Sequence, residues 1–202
     1  MKFMSYGNFH IIWSDTVDST NDEAKRCIDS LPDLSVISTY NQTAGRGQRG
    51  NSWLSEPHAN LTFSIVAKNG FNIKPADQIV INEMISLAIV DFLSCHGIDA
   101  RIKWPNDIYV ADKKICGILI EHVVRGNSIV YSIIGVGLNV NQKNFDSSLY
   151  NPTSILLETG EEQHSLPSLL EELLTIFNRY LEIYDRDEIR SLYHSKLRKI
   201  NV

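Results

Sequence analysis

Only three cysteines, Cys27, Cys95 and Cys116, occur in the 202 residues, and they are far apart. An odd, scattered set excludes a disulfide framework. Buried, reduced thiols in a cytoplasmic protein are expected instead. The six histidines (His10, His58, His96, His122, His164 and His194) are dispersed, none with zinc-finger spacing and none in an H-E-x-x-H pattern. No metal site built from a side-chain cluster is therefore expected. No apolar run approaches the roughly 18 residues that span a bilayer, and residues 1–7 lack the apolar core of a signal peptide. Positive charge is in the minority, with 19 Lys and Arg against 24 Asp and Glu, a net charge of −5. That balance disfavours nonspecific nucleic-acid binding. The G-x-x-x-x-G-K-[ST] phosphate loop is missing. So are internal repeats and low-complexity tracts.

Hydrophobic residues make up 43 % of the chain, enough for one sizeable core. Residues 10–14 read as a short strand. A helix over about 21–30 follows, with Thr20 and Glu23 fitting a T-x-x-E capping box. Residues 34–40 and 60–67 are strand-like. Residues 75–96 form the clearest helix, with a core stripe of Ile81, Ile85, Ala88 and Phe92 joined by Val80, Met84 and Leu87, and Gly97 as its stop. Strands are expected at 99–104, 108–110, 114–124 and 129–141, with turns at 112–113 and 125–128. A polar loop to Pro152 precedes helices at about 167–184 and 187–200. The order implies an α+β fold with a mixed, largely antiparallel sheet packed with helices.

The most informative stretch is Gln42-Thr43-Ala44-Gly45-Arg46-Gly47-Gln48-Arg49-Gly50-Asn51-Ser52-Trp53. Glycine lets the backbone approach a ligand closely, and arginine offers a fork of donors suited to phosphate. Gly45, Gly47 and Gly50 satisfy G-x-G-x-x-G, but that dinucleotide fingerprint needs a helix directly afterwards. Residues 52–57 show no helical periodicity and contain Pro57. A merely flexible linker would favour serine and glycine over arginine beside tryptophan. The loop therefore reads as a wrap for an anionic ligand.

Five segments in order carry a resemblance to the biotin protein ligases. They are Ser19-Thr20-Asn21, the loop 42–53, Lys103-Trp104-Pro105-Asn106-Asp107, the run from Lys114 through Gly117 to Glu121, and Gly135-Val136-Gly137-Leu138-Asn139. The resemblance covers almost the whole chain and implies the biotin/lipoate ligase catalytic fold, akin to class II tRNA synthetases, over residues 1–202. It implies two steps: ATP and biotin give biotinoyl-AMP and pyrophosphate, and a lysine of a biotin carboxyl carrier domain, of acetyl-CoA carboxylase or a related carboxylase, then takes the biotinoyl group.

By that resemblance, biotin is contacted by Ser19, Thr20, Asn21, Gln42, Arg46, Gly47, Gln48 and Lys114, with backbone near Gly117 and Gly135. The nucleotide is met by Arg46, Arg49, Trp53, Asn106, Lys114 and Asn139. Lys114, Arg46 and Asp107 are the expected catalytic residues, and Mg²⁺ is expected with ATP. Glycines at 135 and 137 are expected to let the backbone approach the ligand. Capping alone also accounts for Ser19-Thr20-Asn21. Lys103, Lys113 and Arg49 read equally well as solvated charges.

Two departures stand out. Most relatives carry arginine directly after the second loop glycine, where this chain has Gln48 with Arg49 next. Relatives also usually continue into a small β-barrel-like domain, expected to be absent from this chain, and those that repress transcription begin with a helix-turn-helix, so DNA binding is not expected. A lipoate–protein ligase and a noncatalytic biotin-binding module remain the competing readings. Some relatives dimerise through sheet edges, which leaves a homodimer open.

Overall fold

Strand β1 (Lys2–Tyr6) pairs antiparallel with β2 (Phe9–Val17), extending the sheet one strand beyond the sequence expectation. The computed structural model describes residues 2–163, 165–183 and 185–198. His164, and the expected helix ends at Tyr184 and Ile200, lie outside the described residues. The chain divides into two compact units, one running up to Gln78 and including Ile118–Leu138, the other comprising Ile79–Gly117 and the chain from Asn139 onward.

In the first unit, α1 (Thr20–Arg26) links β2 to β3 (Ser35–Gln42), which run parallel because a helix crosses between them. β4 (Leu61–Lys68) then pairs antiparallel with β3 and with β8 (Ser128–Leu138). β7 (Lys113–Arg125) neighbours β8, and its residues from Ile118 on belong to this unit. Ile12, Ile37, Val66 and Ile133 form a cluster with Ala24 of α1 and Leu31 just after it. Seven successive residues of β4 are buried, the polar Thr62 and Ser64 among them, so both faces of the strand are covered although its sequence alternates. Each fully buried large side chain there, such as Phe63 or Ile65, contributes roughly 1.5–3 kcal/mol.

The cap of α1 differs from the expected one. Ser19 is the N-cap, in extended backbone, with its Oγ accepting from the Asp22 backbone N–H at 3.4 Å. Thr20 is instead the first helical residue, and its hydroxyl turns elsewhere.

In the second unit, α2 (Ile79–Cys95) follows a separate 3₁₀ turn at Pro75–Asp77. The expected stripe is core: Ile81, Ile85, Ala88 and Phe92 are fully buried. Gly97 takes a φ of +74°, which suits glycine at a helix stop. The stretch 75–95 is long and apolar enough to cross a bilayer by length and composition, contrary to the sequence reading, yet 72 % of its apolar window is buried inside the fold. β5 (Ala100–Lys103), β6 (Asp107–Val110) and the first residues of β7 form an antiparallel meander. Helix α3 (Ile155–Thr159) was not expected, because five residues are too short to show a helical period. Its ends carry the local signals, Ser154 capping Leu157 and Gly160 at φ +77°. α4 (Leu166–Leu181) buries Leu169, Leu170, Leu173, Leu174 and Phe177 and packs on α2, as does α5 (Arg186–Ser195). The sheets are mixed and largely antiparallel, as expected for the α+β class. The cysteines depart from expectation: Cys116 is buried, Cys27 half-buried and Cys95 exposed.

Candidate functional site

The first unit brings Ser19, Thr20, Asn21, Gln42, Arg46 and Gly135 together around the N-terminal turn of α1. Thr20 donates its backbone N–H to Gln42 Oε1 at 2.9 Å, and its hydroxyl lies 3.3 Å from the same oxygen. Ser64 on β4, fully buried, places its Oγ 2.8 Å from Thr20 Oγ1 and 2.6 Å from Asn21 Oδ1. Asn21 donates through Nδ2 to Glu121 Oε2 at 2.8 Å and to the Leu119 carbonyl at 3.3 Å. Glycine 135 leaves room for this: a Cβ there would lie 2.3 Å from Asn21 Oδ1.

Arg46 is held by two carboxylates. Its Nε and Nη2 donate to Asp22 at 3.0 and 2.7 Å, and Nη1 and Nη2 donate to Glu121 at 3.3 and 2.9 Å. Lys25 adds a third cationic donor to Glu121 at 2.6 Å. Burial alone would raise the Glu121 carboxyl, but hydrogen bonds from Arg46, Lys25 and Asn21 outweigh it and hold it down at about 2. Hydrogen bonding to Glu121 in turn raises the Arg46 pKa, so the guanidinium stays charged. Asp22, Ser64 and Glu121 were not among the expected site residues. Glu121 closes the Lys-x-x-Gly-Ile-Leu-x-Glu segment, and that carboxylate at the end of an apolar strand was the available signal.

The glycine loop returns on itself. Gly47 N–H donates to the Asn51 carbonyl at 2.7 Å, Trp53 N–H donates to the Gly45 carbonyl at 2.9 Å, and a bridge joins Arg46 to Ser52. Gly45 is obligatory, since a Cβ would meet the Trp53 carbonyl oxygen at 2.4 Å and Gln42 Nε2 at 2.5 Å. Gln48 is half-buried and Arg49 exposed, the latter in a left-handed conformation at φ 57°. The Trp53 indole lies over Gly137, whose added Cβ would sit 2.3 Å from Cε2. Side chains of the protein itself, Asn21 and Trp53, thus occupy the space that glycines 135 and 137 were expected to open to a ligand. A separate cavity of about 420 Å³, lined by Ile12, Ser14, Glu23, Cys27, Leu31 and Ile37 among others, is lined by none of the expected site residues.

The second unit holds Asn106, Asp107, Lys114, Gly117 and Asn139. Lys114 Nζ lies 2.7 Å from Asp107 Oδ1, across the β6–β7 pair in which Asp107 faces Gly117. Asn106 closes a turn that contains Pro105, and Asp107 follows it, so the carboxylate stands at the start of β6. The Asn139 amide donates to the Thr153 carbonyl at 2.9 Å, while its buried Oδ1 has no hydrogen-bond partner among the described residues. An orphaned buried oxygen of this kind suits a hard cation, which takes oxygen ligands. No group of three or more His, Cys, Asp or Glu among the described residues forms a metal cluster. Two lysines left open between roles are now placed. Lys113 is not in a turn: it begins β7 and pairs with Glu158, the turn lying at 111–112. Lys103 lies against Tyr109, with Nζ 3.2 Å from the phenol oxygen and 4.7 Å from the ring centre.

The chain is 29 % identical over 186 residues to the bifunctional ligase/repressor BirA of Escherichia coli, covering 92 % of this chain and 57 % of that protein. It is 27 % identical to the biotin–[acetyl-CoA-carboxylase] ligase of Paracoccus denitrificans, over 91 % of this chain and 79 % of that one. The chain thus spans little more than half the length of the first curated relatives it matches. Among solved structures, the biotin protein ligase of Aquifex aeolicus in complex with biotin and ATP superposes with a TM-score of 0.80 at 26 % identity, over 93 % of this chain and 78 % of that one. Residues 13–139, more than half the chain and the span that holds every site residue expected from the sequence, match the biotin/lipoate A/B protein ligase family, and the chain belongs to that family.

Proposed function

We propose that this chain catalyses the ATP-dependent attachment of biotin to a lysine of a biotin carboxyl carrier domain through biotinoyl-AMP, as a biotin–[acetyl-CoA-carboxylase] ligase. The observation that carries the reading is its likeness, with a TM-score of 0.80, to a ligase solved with biotin and ATP, in a chain that keeps all five motif segments in order.

The residues divide by chemistry. Thr20, Asn21, Gln42 and Ser19 offer fixed hydrogen-bonding groups for the ureido ring, where a narrow pocket with a few placed partners gives specificity. The attack of the biotin carboxylate on the α-phosphate brings two anions together as the bond to pyrophosphate breaks. Lys114 and Arg46 supply positive charge where negative charge gathers. Asp107 holds the Lys114 ammonium in place at 2.7 Å. Trp53 and Arg49 serve the nucleotide, and Gln48 takes the slot beside the adenylate phosphate. Mg²⁺, when bound with ATP, neutralises the departing pyrophosphate, and Asn139 Oδ1 and Asn106 are the groups of this chain offered to it. In the second step the carrier amine attacks the acyl carbon, AMP leaves and the amine loses a proton.

The test is ATP–pyrophosphate exchange. Exchange should require biotin and fail with lipoate, since buried polar groups left unpaired cost on the order of 10⁴-fold or more in such discriminations. Comparable exchange with both acids would overturn the biotin assignment in favour of the lipoate branch of the family.

A further inference from the structure

Helix α2 is apolar on nearly every face, and between Ile79 and Leu93 its polar side chains are Asn82, Glu83, Ser86 and Asp91. Asparagine is a poor helix former because its amide competes for backbone groups, so its place in an apolar helix calls for a partner. Asn82 finds one far along the chain: its Nδ2 donates to the Pro105 carbonyl at 2.7 Å. A carbonyl only accepts, so this bond also fixes which way the amide faces. Pro105 lies in the turn at 104–106 that joins β5 to β6, and the two strands meet at the pair Lys103 and Asp107. Residues 103–107 are all half-buried or exposed, Trp104 at 69 %, so no fully buried side chain of the turn seats it. Pro105 itself brings no N–H. Its carbonyl is tied to α2 two residues before Asp107, whose carboxylate meets Lys114 at 2.7 Å.

We propose that Asn82 is a positioning residue for adenylation: by holding the Pro105 carbonyl it fixes the turn from which Asp107 is presented, and through Asp107 it sets the place of the Lys114 ammonium. The inference rests on the ligase reading. Lys114 serves that reaction only where its charge meets the charge gathering between carboxylate and α-phosphate, and a misplacement of about 1 Å can cost on the order of 10²-fold in rate. A turn released from α2 lets the Asp107 carboxylate shift and carries Lys114 with it. Asn82 acts through the Pro105 carbonyl and not by a contact of its own with substrate. Ser19, Thr20, Asn21 and Gln42, the groups offered to the ureido ring, belong to the first unit and are fixed by bonds of their own. Rate and biotin affinity are therefore separable at this position.

The experiment is biotin-dependent pyrophosphate exchange by the full chain and its Asn82→Leu and Asn82→Gln variants, each also made in a Lys114→Ala background. Calorimetric titration with biotin and thermal unfolding are measured beside it. Leucine keeps the size of asparagine, favours the helix and lacks the donor. Asn82→Leu should lower kcat roughly 10–100-fold while biotin affinity and the thermal midpoint stay near the parent values. Asn82→Gln keeps an amide donor and should recover most of that loss. In the Lys114→Ala background Asn82→Leu should cost little more, because residues that act through one group are not additive. Parent-like exchange in Asn82→Leu, or the same fold loss with and without Lys114, would overturn the inference. So would a loss of rate accompanied by matching losses of biotin affinity and stability, the mark of a structural strut. A parent without biotin-dependent exchange would defeat the ligase reading and this inference with it.

Discussion

Lys114 Nζ and Asp107 Oδ1 lie 2.7 Å apart on adjacent strands, while the neighbouring Lys113 turns to Glu158. Successive residues of a strand point to opposite faces, so two consecutive lysines receive different partners and different tasks. Lys114→Ala and Arg46→Ala should each lower biotin-dependent pyrophosphate exchange roughly 10²–10³-fold, the scale for one preorganised charge-stabilising donor. Lys113→Ala should leave exchange near the parent rate and shift stability by no more than about 1 kcal/mol, as for an accessible ion pair. A larger loss at Lys113 than at Lys114 would show that the two roles are interchanged.

Acid should expose the part played by Glu121. A carboxyl whose folded pKa is depressed adds stability above its unfolded value and loses it as pH falls through the folded one. For Glu121 the window runs from the ordinary 4.5 down to about 2. Glu121→Gln should therefore be less stable than the parent at pH 6, and the gap should narrow steadily below pH 4.5. Urea midpoints at several pH values measure it. A gap that stays constant across this window would mean that the ion pairs with Arg46 and Lys25 contribute nothing to the folded state.

Gly137→Ala tests how the glycine loop is seated. The added methyl would lie 2.3 Å from the Trp53 indole, so the ring must leave its place. Overpacking of this kind costs about 1–3 kcal/mol. Tryptophan emission should shift to the red as Trp53 moves toward water, and biotin-dependent exchange should fall with it. Unchanged emission and an unchanged urea midpoint would show that the indole does not rest on Gly137.

Much of the architecture was legible along the chain because its signals are local. The buried stripe of α2 follows from a 3.6-residue period. The Gly97 stop follows from a backbone that glycine tolerates, and the antiparallel strands follow from apolar runs separated by turns. Features a few residues long were lost where the signal was too short or had two readings. α3 spans five residues, and Ser19 and Thr20 are both good caps, so only the observed Asp22 N–H to Ser19 bond decides between them.

By itself the sequence determined the family, through five segments whose residue types suit an anionic, nucleotide-linked chemistry, and it named most of the side chains in both clusters. Tertiary structure alone decided which of them meet. Arg46 and Glu121 are 75 residues apart and share a bidentate contact only because the loop after β3 folds back beside α1 and the register of β7 places that carboxylate within reach. Ser64 looks like one more hydroxyl in an apolar strand until the pairing of β4 with β8 sets it opposite Gly135, whose missing side chain leaves room for Asn21. Motifs record which groups are present. The direction of a hydrogen bond depends on which neighbours can only accept, and that is a property of the assembled fold.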